Sequence, residues 1–195
     1  MGGWLLILYL HGFRSSPLSS KAQQLRQHME SKGLGQQFCC PQLPISPQAA
    51  IEHAQDIIRQ AARPVTLVGS SLGGYYATWL MERHWHHIHH VVLINPAVQS
   101  NLAEQFVGTQ SNWHTGENFE FTRDHVAELR ALEVPQVLHQ ERYWLLAEKG
   151  DEVLDYRLAV AKYSDARHTI LEGGDHSFTR WGDYLDEIVA LDRQR

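Results

Sequence analysis

Gly69-Ser70-Ser71-Leu72-Gly73 sets a serine midway between two glycines, directly after the apolar run Val65-Thr66-Leu67-Val68 and before the apolar segment 75–80. G-x-S-x-G between a strand and a helix is the setting of a nucleophilic serine on a sharp, strained turn. Glycine is needed at both flanks because a side chain there would meet the neighbouring strand or the helix. Ser71 is the central residue, and its hydroxyl is expected at the carboxyl edge of a sheet, above a helix N-terminus. Such a hydroxyl attacks a carbonyl only when a base takes its proton and a third group orients that base. The order that accompanies this turn is serine, then acid, then histidine. Lys149-Gly150-Asp151-Glu152-Val153 follows the apolar run 143–146, and Gly173-Gly174-Asp175-His176-Ser177-Phe178 follows the run 169–171. Each is a glycine-containing turn at the carboxyl end of a predicted strand. Ser71, Asp151 and His176 are therefore the candidate nucleophile, acid and base. Asp155 is expected one turn into a helix and off that edge. Glu152 is expected to point away from the imidazole, and Asp175 adjoins His176 too closely in the chain for triad geometry.

The same chemistry needs N–H donors where negative charge develops on the carbonyl oxygen. One candidate is the N–H of Leu72, the residue after the serine. The other is the N–H of Phe13, in the loop Leu10-His11-Gly12-Phe13-Arg14 that follows the first predicted strand. His11 is expected to shape that loop rather than to act as a base. Arg14 and Trp113 are the candidate substrate-binding side chains, Arg14 for an anionic group and Trp113, with Phe106, as apolar wall of an acyl pocket.

The elements that must position these residues follow from hydrophobic periodicity. The runs 4–10, 65–68, 91–94 and 143–146, with weaker ones at 37–40 and 169–171, lack polar alternation and predict strands buried on both faces of a parallel sheet. Between them, Ile51, Ala54, Ile57, Ile58 and Ala61 recur at helical spacing, as do Trp181, Tyr184, Leu185, Ile188 and Val189. Residues 18–31, opened by Pro17 and closed by Gly33, predict a further helix. This alternation is that of an α/β domain with helices on both faces of the sheet. With the first strand between the second and third, the loops after strands one and three flank the crevice where strand order reverses. Residues 98–142 hold no clear strand and are expected to form a small helical insertion, placed as a lid.

The 195 residues suit one domain, 1–195. Hydrophobic residues at 43% and charged residues at 20% describe an ordinary globular chain. The net charge of −5 and the lack of any Lys/Arg cluster speak against a nucleic-acid partner. The longest apolar stretch, 4–10, is too short to span a bilayer. The two cysteines, Cys39 and Cys40, are adjacent and imply no disulfide framework, so the expected compartment is a reducing cytoplasm. Five of the 13 histidines fall within residues 84–90. That run is expected at the amino edge of the sheet, opposite Ser71, as a surface feature rather than a catalytic metal site. No metal or organic cofactor is expected.

Together, LYLHGFRSSP, VGSSLGGYYATWL, NPAV, GDEVLDYR and EGGDHSFTRW resemble the YqiA-like esterase family of small α/β-hydrolases, over residues 8–181. The resemblance implies the α/β-hydrolase fold and hydrolysis of acyl esters and thioesters. It carries the family's serine, acid and histidine onto Ser71, Asp151 and His176. The histidine run at 84–90 is no part of the family's pattern. The residues themselves argue for an acyl-transfer serine hydrolase acting on a small-molecule acyl ester or thioester. The alternatives are a lyase, C–C hydrolase or peptidase on the same site, or a non-catalytic binding module. With the leading antiparallel strands of larger hydrolases expected to be missing, the sheet is cut to about six strands. Only residues 98–142 are left for a lid, which predicts an open site and loose substrate selection.

Overall fold

The computed structural model describes residues 6–191. Among them, eight strands alternate with six α-helices: β1 (Ile7–Leu10), α1 (Ser20–Ser31), β2 (Phe38–Cys39), α2 (Pro47–Gln60), β3 (Val65–Ser70), α3 (Leu72–His84), β4 (Ile88–Ile94), β5 (Gly108–Ser111), β6 (Asn118–Phe121), α4 (Arg123–Ala131), β7 (Tyr143–Glu148), α5 (Tyr156–Lys162), β8 (Arg167–Leu171) and α6 (Leu185–Ala190). Six strands form one parallel sheet in the order β2-β1-β3-β4-β7-β8. The first strand therefore lies between the second and third, and the chain winds outward in both directions from it. Of the predicted strand 4–10, residues 4 and 5 lie outside the described residues.

Successive strand residues face opposite sides, and both sides are covered. Tyr9, Val68, Val92 and Leu146 meet Leu25 and Met29 of α1 and Ile188 of α6. Leu8, Leu67, Val91 and Leu145 meet Ile51 and Ile58 of α2, Leu80 of α3 and Ala159 of α5. That double burial is why the strands read as unbroken apolar runs. None of the helices among the described residues is long and apolar enough to cross a membrane.

The insertion departs from the purely helical expectation. Residues 98–142 contain α4 and a 3₁₀ turn at Asn101–Phe106, but also an antiparallel hairpin, β5–β6, with Gly108 opposite Phe121 and Ser111 opposite Asn118. Its residues are mostly polar and partly exposed, so it carries no apolar run. Its one sequence signal is the alternation Asn118-Phe119-Glu120-Phe121, in which both phenyl rings turn inward against Phe13. The insertion is also fastened to α2. The Ser46 side chain caps α2 by accepting from Ala49 N–H (3.1 Å) and donates to Glu128 of α4 (2.7 Å).

His11 ties the loop after β1 to the loop after β2. It is 5% exposed, and its Nε2 accepts the Leu43 N–H at 3.1 Å, while Nδ1 lies 3.0 Å from the Gly12 carbonyl. The ring must be neutral to accept at Nε2, and burial holds its pKa below the ordinary 6.5.

Two outcomes are expected. Ser46→Ala removes a helix cap and a link to the insertion, and should cost about 1–2 kcal/mol in urea unfolding; an unchanged midpoint would contradict this. Because the folded pKa of His11 is depressed, its contribution to stability is complete above the unfolded value and is lost as pH falls towards the folded one. From about pH 7.5 to about pH 5, wild type should therefore lose more stability than His11→Asn. Parallel losses would show that another group is responsible.

Candidate active site

Three loops reach the same carboxyl edge of the sheet, after β3, β7 and β8. The turn after β3 holds Ser71 at φ 55 and ψ −120, a region that side-chain-bearing residues occupy only under constraint. Backbone bonds hold it there: Ser71 N–H donates to Ile94 O (3.0 Å), and its carbonyl accepts from Gly74 and Ala97. A glycine at 73 is required because a Cβ would fall far inside contact distance of the Leu10 carbonyl oxygen. Helix α3 thus starts against the end of β1, and Ser71 projects from the turn between them.

The Ser71 Oγ lies 3.1 Å from His176 Nε2. On the other side of the ring, Nδ1 lies 2.9 and 3.0 Å from the two carboxylate oxygens of Asp151. The Asp151 side chain is 2% exposed and the His176 side chain 19%. Asp151 is oriented by the turn it stands in, because its Oδ1 accepts the N–H groups of Val153 (2.9 Å) and Leu154 (2.8 Å). The three side chains singled out from sequence therefore form one continuous hydrogen-bonded chain.

The neighbouring carboxylates are placed differently. Asp155 is not inside a helix turn as expected but is the N-cap of α5, where it accepts from Arg157 N–H and is paired with the Arg157 guanidinium. Asp and Asn are preferred at a cap because the side chain satisfies a free helix N–H. Glu152 turns from the ring to the backbone, where its Oε2 accepts the His176 N–H at 3.0 Å. Asp175 folds onto its own loop and accepts from Ser177 N–H and from the Ser177 hydroxyl.

The loop after β1 lies directly beside the serine. A Cβ on Gly12 would stand 3.2 Å from Ser71 Cβ. Among the described residues, neither the Phe13 nor the Leu72 N–H donates to another backbone group. The Phe13 ring is anchored in the insertion, 5.0–5.9 Å from the rings of Phe106, Phe119 and Phe121. Phe106 is thus packed on Phe13. Arg14, at φ 59, donates from Nε to Ser111 O (2.9 Å) and stacks over the Trp113 ring at 5.1 Å. Trp113 N–H returns a bond to Arg14 O (2.9 Å), and the residue is 64% exposed. The insertion is consequently stapled to this loop rather than hanging free above it.

Lys21, from α1, donates to the Ser177 carbonyl on the histidine loop at 2.7 Å. Burial pulls its ammonium down to about 8, against the opposing pull of Asp175, Glu148 and Asp151. The site's surroundings also include two buried polar side chains that sequence reasoning did not single out: Glu148, which no motif marks, and Asn95, the first residue of the NPAV segment. Both bond to the histidine loop. At the opposite edge, His84 bonds to Gln55, Trp85 stacks on His86, and His89 and His90 lie within β4. Among the described residues, no three His, Cys, Asp or Glu side chains are grouped to hold a metal ion.

Comparison with solved structures finds the same architecture. Mouse alpha/beta hydrolase domain-containing protein 10 superposes with a TM-score of 0.74 at 16% identity, covering 99% of this chain and 90% of that one. The esterase domain of a Rhodothermus marinus protein gives 0.68 at 16% identity, covering 97% and 87%. The Paleococcus ferrophilus monoacylglycerol lipase gives 0.67 at 17% identity, covering 97% and 95%. At these identities the likeness is one of fold, and the fold is that of the α/β-hydrolases. Residues 6–193 match the model of the uncharacterised protein family UPF0227, the YqiA family, and by that match over nearly its whole length the chain belongs to it.

Proposed function

We propose that this chain is a serine hydrolase that cleaves acyl esters or acyl thioesters through a covalent acyl-enzyme on Ser71. One observation carries the reading: a hydrogen-bonded chain from the Ser71 hydroxyl through His176 to a buried, amide-anchored Asp151, on a strained turn at the carboxyl edge. His176 takes the proton as Ser71 Oγ attacks the carbonyl carbon. Asp151 holds the tautomer with the proton on Nδ1 and stabilises the imidazolium. The Leu72 and Phe13 amides receive the negative charge on the carbonyl oxygen. His176 then protonates the leaving alcohol or thiol. The same ring deprotonates a water that releases the acid.

Side chains and backbone amides supply every group in this sequence, and neither a metal nor an organic cofactor takes part. Arg14 and the exposed Trp113 flank the loop that carries Phe13, where a small-molecule substrate's anionic or apolar portion would lie. An esterase domain and a monoacylglycerol lipase among structures of the same fold support ester hydrolysis as the reaction class. Cys39 and Cys40 are free thiols, in keeping with a reducing cytoplasm as the compartment.

Purified enzyme should turn over short acyl esters or acyl-CoA thioesters, and Ser71→Ala should lower that rate by about 10⁴-fold or more. Activity on amides alone would replace the esterase reading with a peptidase one. A fluorophosphonate should label wild type and not Ser71→Ala, and equal labelling of both would refute the nucleophile. Asp151→Asn should reduce kcat by about 10³- to 10⁴-fold, while Asp155→Asn stays within about twofold of wild type. The reverse pattern would reassign the acid.

A further inference from the structure

We propose that Glu148 and Asn95 are positioning residues that set the His176 ring for proton transfer, a role that rests on His176 being the base. Among the described residues, neither hydrogen-bonds to Ser71 Oγ or to the imidazole. Both act through the backbone of the loop that carries the ring.

Glu148 is the last residue of β7 and is 1% exposed. Its carboxylate accepts four bonds, all from the histidine loop. Oε2 takes the N–H groups of Asp175 (2.9 Å) and Thr179 (3.0 Å). Oε1 takes the Thr179 hydroxyl (2.8 Å) and the Arg180 N–H (3.2 Å). Every partner is a donor, and three of them are backbone amides that cannot reverse. A glutamine of the same shape would turn an NH₂ towards N–H groups, leaving buried donors facing each other. The loop also makes room for this carboxylate. Gly174 sits at φ 75, and a Cβ there would overlap the Glu148 carboxylate.

Asn95 completes the clamp from the next strand. It follows β4 at φ 40 and is 3% exposed. Its Oδ1 accepts the Glu148 N–H (3.0 Å), and its Nδ2 donates to the carbonyls of Asp175 (2.9 Å) and His176 (3.2 Å). With Glu152 holding the His176 N–H, all four backbone polar groups of Asp175 and His176 are occupied by side chains from the sheet edge. Each bond satisfies a backbone group, and together they hold the loop on both sides of the residue that bears the ring. On the backbone so held, the ring stands between Ser71 and Asp151. Proton transfer is sensitive to such placement, and a displacement of about 1 Å can cost about 10²-fold in rate.

The test compares wild type, Glu148→Gln, Asn95→Asp and Thr179→Val in ester hydrolysis, with circular dichroism and thermal unfolding to select folded protein. Proton NMR in water would follow the Nδ1–H resonance of His176 bonded to Asp151. Glu148→Gln and Asn95→Asp should each lower kcat by about 10²-fold, with KM within about twofold. The Nδ1–H resonance should broaden or vanish while the folded signature persists. Thr179→Val, which deletes one of the four bonds, should lower kcat by a smaller factor with KM unchanged, and it serves if the other two do not fold. Wild-type kcat in any folded variant would overturn the proposal, as would a change confined to KM. His176→Ala separates the two levels. If it is inactive and Glu148→Gln is normal, the positioning role fails and the base stands. If His176→Ala retains activity, the base fails and the positioning role falls with it.

Discussion

At Ser71 the chain passes from β3 into α3 within a single residue, at φ 55 and ψ −120. A backbone conformation of this kind costs about 1–3 kcal/mol and persists only where its surroundings over-determine it. Here they do. The Ser71 amide is bound to β4, its carbonyl is bound to Gly74 and Ala97, and α3 is pressed against the end of β1 at Gly73. Relaxing the turn would pull α3 off β1 and withdraw the hydroxyl from His176. The tight packing of α3 on β1 and the exposure of the serine are thus one constraint. It also sets Gly12 beside Ser71, which brings the Phe13 amide to the same corner.

Around that corner the sheet edge works as a rigid frame. Five loop-bearing strands end near it, and their loops are joined to one another by side chains rather than by continuous secondary structure. His11 links the loops after β1 and β2. Arg14, Asn112 and the phenyl rings around Phe13 link the loop after β1 to the insertion. Asn95 and Glu148 link the ends of β4 and β7 to the loop after β8. Each link satisfies backbone groups that would otherwise be left unpaired on leaving the sheet, so ordering the loops and placing the side chains are achieved by the same bonds. The insertion shares in this. It is held at α2 through Ser46 and Glu128 and at Phe13 through tilted and edge-on ring contacts, so it is tied to the domain at two points.

Much of the site could be read in the sequence because its signals are local. Gly-x-Ser-x-Gly after an apolar run carries its own turn geometry, and Asp151 and His176 stand in glycine turns directly after predicted strands. Asp155 was separable from Asp151 as an off-edge residue, although its place is a helix cap rather than a helix turn. The β5–β6 hairpin leaves little trace in the sequence because its strands are polar, short and half exposed, and only Phe119 and Phe121 alternate. Glu148 is silent for a different reason, and Asn95, although it opens the NPAV segment, carries no local sign of its partners. A buried glutamate at a strand end has no motif, and its partners lie 27–32 residues away in the chain.

Strand and helix order, the six-stranded α/β frame, and the serine, acid and histidine that reach one edge are all legible in the chain. They are so because hydrophobic periodicity and glycine turns act within a few residues, and strand ends share an edge once the sheet is parallel. Long-range packing alone settles where the neighbouring carboxylates Glu152 and Asp155 find their partners, how the insertion folds against Phe13, and what holds the histidine loop. Those outcomes depend on distances of about 3 Å between segments far apart in the chain. At that range a buried donor or acceptor is either met or costs about 1–3 kcal/mol, and no local pattern records which partner will arrive.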